Sequence, residues 1–323
     1  MERRTFIGAL AAGTFAGAAR GVRAQQPSAR RVGILTAGSL PRTISAAFSD
    51  ELRERGWVEG GNLRFERRGG DGHADRVPGL AAELVEMKLD VIVSFGAVAG
   101  VAIKNATTAI PIVTQTGDPV RLGLVSNLSR PGGNITGVSM IAPELATKRL
   151  ELIREFFPQA TLIAELVDPD NTYWQRVRAD YEQAFRAQRM RPLFVDVADP
   201  GEIAKAIAQI AGQRADALVV RSDPTFTSNR EQIGRLSLQH ALPTMAEDQR
   251  FVEAGMLMAY GPSQSAVDRI IANYIDRILR GAKAGDLPIA QPTKFEFPIN
   301  GKTAKALGLT IHKSLLLRGA EVI

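Results

Sequence analysis

The chain contains no cysteine. Disulfides, thiolate nucleophiles, iron–sulfur clusters and cysteine zinc sites are therefore excluded, as is a lipid-modified N-terminal cysteine acting as an anchor. Histidine is scarce: His73, His240 and His312 lie in unrelated contexts without metal-ligand spacing, and surface or helix-end positions are expected for them. There is no G-x-S-x-G elbow and no H-E-x-x-H. Once the first 24 residues are set aside no long Lys/Arg run remains, which argues against nucleic acid as a partner.

Nucleotide fingerprints are missing too. Gly301-Lys302-Thr303 resembles the end of a phosphate loop, but that motif needs glycine at 296 and finds Glu296, so it reads as a helix start. In Asp90–Gly100 (DVIVSFGAVAG) the glycines are spaced G-x-x-x-G, not G-x-G-x-x-G, and the strand is not the first of its lobe. No cofactor is expected.

What is present begins with the N-terminus. Arg3-Arg4-Thr5-Phe6-Ile7 precedes a weakly hydrophobic Ala/Gly run, Phe6–Ala19, and Val22-Arg23-Ala24 offers small residues at the −3 and −1 positions of a cut. This is the layout of an export signal, and the arginine pair suggests the twin-arginine route. The run's 14 residues are too few for a span, which needs ~20. Removing residues 1–24 takes away four arginines and one glutamate, lowering the net charge from +6 to +3. The 323 residues, 45% hydrophobic and 23% charged, otherwise describe a soluble globular protein of two domains.

After a polar linker, Gln25–Arg30, β-like runs alternate with helical patterns. Val32–Leu35, Leu63–Arg68, Val91–Val93 and Ile110–Thr114 read as strands; Ile44–Arg55 and Val77–Met87 read as helices. Short apolar runs without strict alternation, separated by helices, predict parallel strands covered on both faces. The pattern restarts with a helix whose apolar face is Ala146, Leu150, Ile153 and Phe157. Leu162–Val167, Trp174–Gln188, Leu193–Val197, a helix marked by Ile203, Ile207 and Ile210, and Ala217–Val220 then follow. Asp90-Val-Ile-Val matches Asp216-Ala-Leu-Val-Val, and Ala109-Ile-Pro-Ile matches Ala241-Leu-Pro-Thr, in the same order of elements. The fold class is α/β, with two Rossmann-like lobes built on parallel sheets. The tail returns: Met256–Tyr260 is a strand, Val267, Ile271, Tyr274 and Ile278 mark a helix closed by Gly281, and Phe295–Ile299 is a strand before a helix over Lys302–Leu307.

The start of the helix after Val93 combines a hydroxyl, Ser94, with the amides of Gly96 and Ala97. Free N–H groups at the positive end of a helix dipole favour an anion, although Ser94 could equally be only an N-cap.

Five phrases carry a family resemblance. They are Thr116-Gly-Asp-Pro-Val, LSRPGGNITG (128–137), Phe251-Val-Glu-Ala-Gly, Ala259-Tyr-Gly-Pro-Ser, and Gln291-Pro-Thr-Lys-Phe-Glu with Asn300 and Lys302–Leu309. From Arg31 to Ile323 the chain resembles the ABC-transporter substrate-binding proteins that include tryptophan- and phenylalanine-binding members. The resemblance implies a type I periplasmic-binding fold, with two lobes joined by three crossovers around a ligand cleft. The expected division is 31–142 with 261–290, and 143–260 with 291–323. Loops at the carboxyl ends of strands then give the site. Ser39, Ser94, Phe95, Gly96, Ala97, Thr116, Gly117 and Asp118 are expected from the first lobe, and Asn171, Tyr173, Asp223 and Glu247 from the second. Hydroxyls and amides suit a carboxylate, whereas carboxylates and Tyr173 suit an ammonium and an apolar body, so an amino-acid-like zwitterion fits. Asp118, Asp168 and Asp223 each precede a proline and have the plainer reading of turn or helix start. Trp57, after a helix end, is expected to pack.

The resemblance implies a periplasmic, monomeric, non-catalytic receptor that hands a small molecule to an ABC permease, with no membrane insertion of the mature chain. A sensory component of the same fold, or an exported α/β enzyme, are the other readings.

Overall fold

In this computed structural model residues 29–40, 45–140 and 142–323 are described. The export-signal segment and Ile44 lie outside them.

The first lobe runs β1 (Arg30–Thr36), α1 (Ala46–Glu54), β2 (Leu63–Gly69), α2 (Val77–Glu86), β3 (Val91–Phe95), α3 (Ala97–Ala106), β4 (Ile112–Thr116) and β5 (Ile135–Ser139). These strands form one parallel sheet in the order β2-β1-β3-β4-β5. Val91, Ile92 and Val93 are all fully buried, because helices cover both faces and no residue of the run looks to water. β5 was not legible as a strand, since its first three residues belong to the glycine- and asparagine-rich phrase 128–137.

The second lobe adds α4 (Ala142–Phe156), β6 (Leu162–Val167), α5 (Thr172–Ala187), β7 (Arg191–Asp196), α6 (Ile203–Gly212), β8 (Ala217–Val220), α7 (Pro224–Ser228), α8 (Arg230–Gln239), β9 (Thr244–Ala246), α9 (Gln249–Glu253) and β10 (Met258–Ala259). The tail supplies β11 (Gly261–Pro262), α10 (Gln264–Leu279), β12 (Phe295–Glu296), β13 (Pro298–Ile299), α11 (Gly301–Ala306), α12 (Lys313–Leu317) and β14 (Glu321–Val322). The second sheet runs β14-β13-β10-β9-β8-β6-β7.

Apart from the two tail strands, its order repeats that of the first sheet. The repeated phrases do the same work in both lobes. Asp90 Oδ2 accepts the Arg31 amide at 2.7 Å, and Asp216 Oδ2 accepts the Thr161 and Leu162 amides at 2.7 and 2.9 Å. Each aspartate satisfies an amide at the start of its lobe's first strand. The Pro111 carbonyl accepts from Ile92 at 2.9 Å, and the Pro243 carbonyl from Leu218 at 2.8 Å.

The chain crosses back after β10. Helix α10 packs through Val267, Ile271 and Ile275 onto Val32, Val91 and Val93 of the first lobe, while β13 and β14 extend the second sheet. Between the lobes, β11 and β12 pair antiparallel, so two crossing segments brace each other. The single strand expected over Phe295–Ile299 is two. The chain changes partners at Phe297, and Pro298, having no N–H, cannot extend the first ladder. The run Met256–Tyr260 likewise contributes only Met258–Ala259 to the ladder.

Trp57 packs, donating Nε1 to Asp276 at 2.8 Å. Gly301 opens α11 with Asn300 as its cap, and the three histidines stand at helix ends. No group of His, Cys, Asp or Glu able to hold a metal occurs among the described residues, nor does a helix long and apolar enough to cross a membrane.

Candidate ligand-binding site

The carboxyl ends of the two sheets face each other across a cavity of about 500 Å³. The first lobe contributes Ser39 after β1, Phe95, Gly96 and Ala97 after β3, and Thr116 and Gly117 after β4. The second contributes Asp168 and Asn171 after β6, Tyr173 and Trp174 at the start of α5, Arg221 to Asp223 after β8, and Glu247 after β9.

Two of the expected residues are not on its wall. Successive strand residues point to opposite faces. Val91 and Val93 of β3 face α10, so Ser94 turns with Ile92 toward α3. There it is fully buried, close to the Gly100 backbone, and its hydroxyl has no hydrogen-bond partner among the described residues. Asp118 instead caps the turn that follows it, accepting the Val120 and Arg121 amides at 3.0 and 2.9 Å. The start of α3 also differs from expectation. Gly96 takes φ 89° to turn strand into helix, and its amide donates to the Gln115 carbonyl at 2.8 Å. The amides left without an intrahelical acceptor begin at Ala97.

The opposite wall carries three buried carboxylates, Asp168, Asp223 and Asp248. Asn171 caps α5 through the Tyr173 amide (3.0 Å) and donates Nδ2 to Asp223 Oδ2 at 2.6 Å. Asp223 caps α7 through the Thr225 amide at 2.9 Å, and Asp168 accepts the Asp170 amide at 2.9 Å. Burial raises both acids. For Asp168, burial first and then the Asp223 charge push it up to about 7. The sequence reading of Asp223 as a helix start is thus right, and the residue lines the cavity as well. Asp248 goes the other way: burial opposes ionisation, but the Arg250 guanidinium outweighs it.

Two buried arginines of the wall, Arg149 and Arg221, were missed. Arg149 of α4 is buried, donating Nη1 to Glu247 Oε1 at 2.7 Å and Nε to the Tyr260 carbonyl at 2.8 Å. Glu247 also accepts the Ser222 amide at 2.9 Å, so this acid is already committed within the protein. Arg221 packs against both the Tyr181 and Trp174 rings, 4.6 and 4.9 Å from their centroids, with Glu165 at 3.8 Å. Burial drives the Glu165 carboxyl up to about 7 despite that neighbour. A signal existed for Arg149, which stands about one turn from both Ala146 and Ile153 on an otherwise apolar face. Arg221 directly follows a buried strand. With Arg149 paired to Glu247 and Arg250 to Asp248, Asp168 and Asp223 are the carboxylates of this wall without a cationic partner at hydrogen-bond distance among the described residues; on the other side of the cavity Asp268 also lacks one, accepting instead from the Ser45 hydroxyl and from Gln264 Nε2 at 2.7 Å.

The lobes touch on either side of the cavity. The Ser39 amide donates to Ser228 Oγ at 3.0 Å, and the Tyr173 ring lies so near the Gly117 backbone that a Cβ there would sit 2.5 Å from it.

Two α/β lobes with matching strand order, a tail that serves both, and a cavity between the carboxyl ends of their sheets define the type I periplasmic-binding fold. The sequence profile of the family described as ABC transporter substrate binding protein matches residues 34–323, and the chain belongs to that family. It is 25% identical over 264 residues to a "Tyrosine-binding protein" of Clostridioides difficile (strain R20291), covering 81% of this chain and 75% of that one. Among solved structures, a conserved domain protein from Vibrio cholerae superposes with a TM-score of 0.83 at 25% identity, covering 91% of this chain and 99% of that one. An ABC domain in complex with L-Trp from Streptococcus pneumonia gives 0.81 at 26% identity, covering 92% and 100%.

Proposed function

We propose that this chain is the solute receptor of an ABC import system and captures a small amino-acid-like ligand in the cavity between its lobes. The observation that carries the reading is the pair of buried carboxylates, Asp168 and Asp223, standing opposite the free amides at the start of α3. An ammonium group meets the acids. A carboxylate meets the Ala97 end of α3, where unpaired N–H groups and the helix dipole favour an anion. Phe95, Tyr173 and Trp174 offer the apolar and aromatic surface for the ligand's body. The tyrosine-binding relative and the L-Trp-bound neighbour support a ligand of this class.

Capture works by closure about the braced crossings β11 and β12, without chemistry. The receptor acts outside the cytoplasm as a monomer, exported by the N-terminal signal, and delivers its ligand to permease subunits.

A thermal-shift panel tests this. L-tryptophan, L-tyrosine and L-phenylalanine are compared with their deaminated and carboxamide analogues. A true ligand at 100 times its Kd adds about 2.7 kcal/mol of apparent stability. The reading fails if no amino acid stabilises the protein, or if the deaminated analogues stabilise it equally.

A further inference from the structure

Away from the cavity, the loop after β4 reaches across the cleft to α5. Arg121 of the first lobe forms an ion pair with Asp180 of the second. Alongside, Arg176 Nη1 donates to the Arg121 carbonyl at 2.8 Å, and Arg121 Nη1 donates to the Arg176 carbonyl at 3.4 Å. The two arginines reach over the seam in opposite directions, each to the other's main chain. None of these three residues lines the cavity.

Arg121 is pre-set on its own lobe. Asp118 accepts its amide, and Asp118 Oδ2 lies 3.7 Å from its Nε. That gives Asp118 a place in the molecule although it does not face the cavity. The paired side chains keep 40% and 37% of their surface exposed, so water and salt reach them. A contact this weak cannot shut the lobes by itself. It does have to break whenever they part, and so it bears on the rate of opening more than on capture.

We propose that Arg121, Asp180 and Arg176 form a clasp on the rim of the cleft that sets how long a captured ligand is held, without touching that ligand. The inference rests on the receptor reading above, with its hinge closure. Residence time then depends on ionic strength for a reason unconnected with the ligand's own charges.

The test uses the full mature chain with L-tryptophan and L-tyrosine as probes in stopped-flow dissociation. Asp180→Asn and Arg121→Gln are expected to release the bound probe two- to fivefold faster, with association unchanged. The charge-reversed pair Arg121→Glu with Asp180→Arg should return the rate toward wild type. Raising sodium chloride from 50 to 500 mM should speed release from wild type and leave Asp180→Asn unaffected. Because the chain has no cysteine, single cysteines placed at exposed Ala82 and Lys205 can carry spin labels that report the distance across the cleft. Asp180→Asn should lower the closed fraction, with or without probe. If neither amino acid binds, the ligand reading falls alone and the label distances still judge the clasp. Release rates equal to wild type, or, where no probe binds, unchanged distance distributions, overturn it.

Discussion

Asp223→Asn isolates the acidic end of the cavity. The variant keeps a capping oxygen for the Thr225 amide, since asparagine caps helices as well as aspartate does. It loses the Asn171 bond and, more importantly, one of two charges that would face the ligand's ammonium. A charge-assisted hydrogen bond contributes about 1.5–3 kcal/mol, so affinity should fall roughly 10- to 150-fold when both acids are ionised in wild type. The pH dependence is the sharper signature. Asp168 is held at about 7, second to burial, by the Asp223 charge. Wild-type affinity for an ammonium ligand should therefore fall as pH drops from 8 to 6, approaching tenfold per unit below 7. In Asp223→Asn the second cause is gone, Asp168 titrates lower, and the profile flattens, so the two proteins converge at pH 6.

Stability carries the same information with a definite sign. A carboxyl whose folded value is raised stabilises the fold below the unfolded value near 4, and that contribution is lost as pH rises through about 7. The slope is up to about 1.4 kcal/mol per pH unit for each such group. Glu165, also held at about 7, keeps its share in the variant. Calorimetric titration from pH 6 to 8 and denaturant melts over the same range provide both measurements. Parallel affinity profiles for wild type and Asp223→Asn would refute the assignment of the ammonium to this pair.

Two further outcomes are expected. Ala97→Glu places a carboxylate over the free amides of α3 and should weaken binding at least tenfold, about 1.4 kcal/mol, with folding intact; wild-type affinity by calorimetry would make that helix start a plain cap. N-terminal sequencing of the exported protein should begin near Gln25, and a chain still starting at Met1 would remove the signal reading.

The two-lobe architecture was legible because buried parallel strands carry a compositional mark, and because Asp90 and Asp216 recur for one purpose, holding an amide at the start of a strand. The face to which a single strand residue points was not legible. Ser94 and Phe95 are neighbours in sequence, yet only Phe95 lines the cavity, and that parity depends on which helix covers which side. The committed state of Glu247 was invisible for a similar reason: its partner, Arg149, lies 98 residues away on a helix noticed only for its apolar face. Asp168 and Asp223 looked like turn formers before proline. The pair emerges only when β6 and β8 are placed side by side.

The passage of α10 back to the first lobe has a consequence for how the chain is made. The face of the first sheet that holds Val32, Val91 and Val93 is covered only in part, by Phe48 and Leu52 of α1, until residues 264–279 have been synthesised, well over a hundred residues after β5. At ribosomal speeds of about 5–20 residues per second, that wait is on the order of ten seconds. For that interval a nearly complete parallel sheet shows an apolar face, the kind of surface on which chaperones act and from which aggregates start. The second sheet waits longer still for β13 and β14. Neither lobe can therefore be expressed as a contiguous fragment with its core closed, and a chain cut after Ala259 would leave both unfinished.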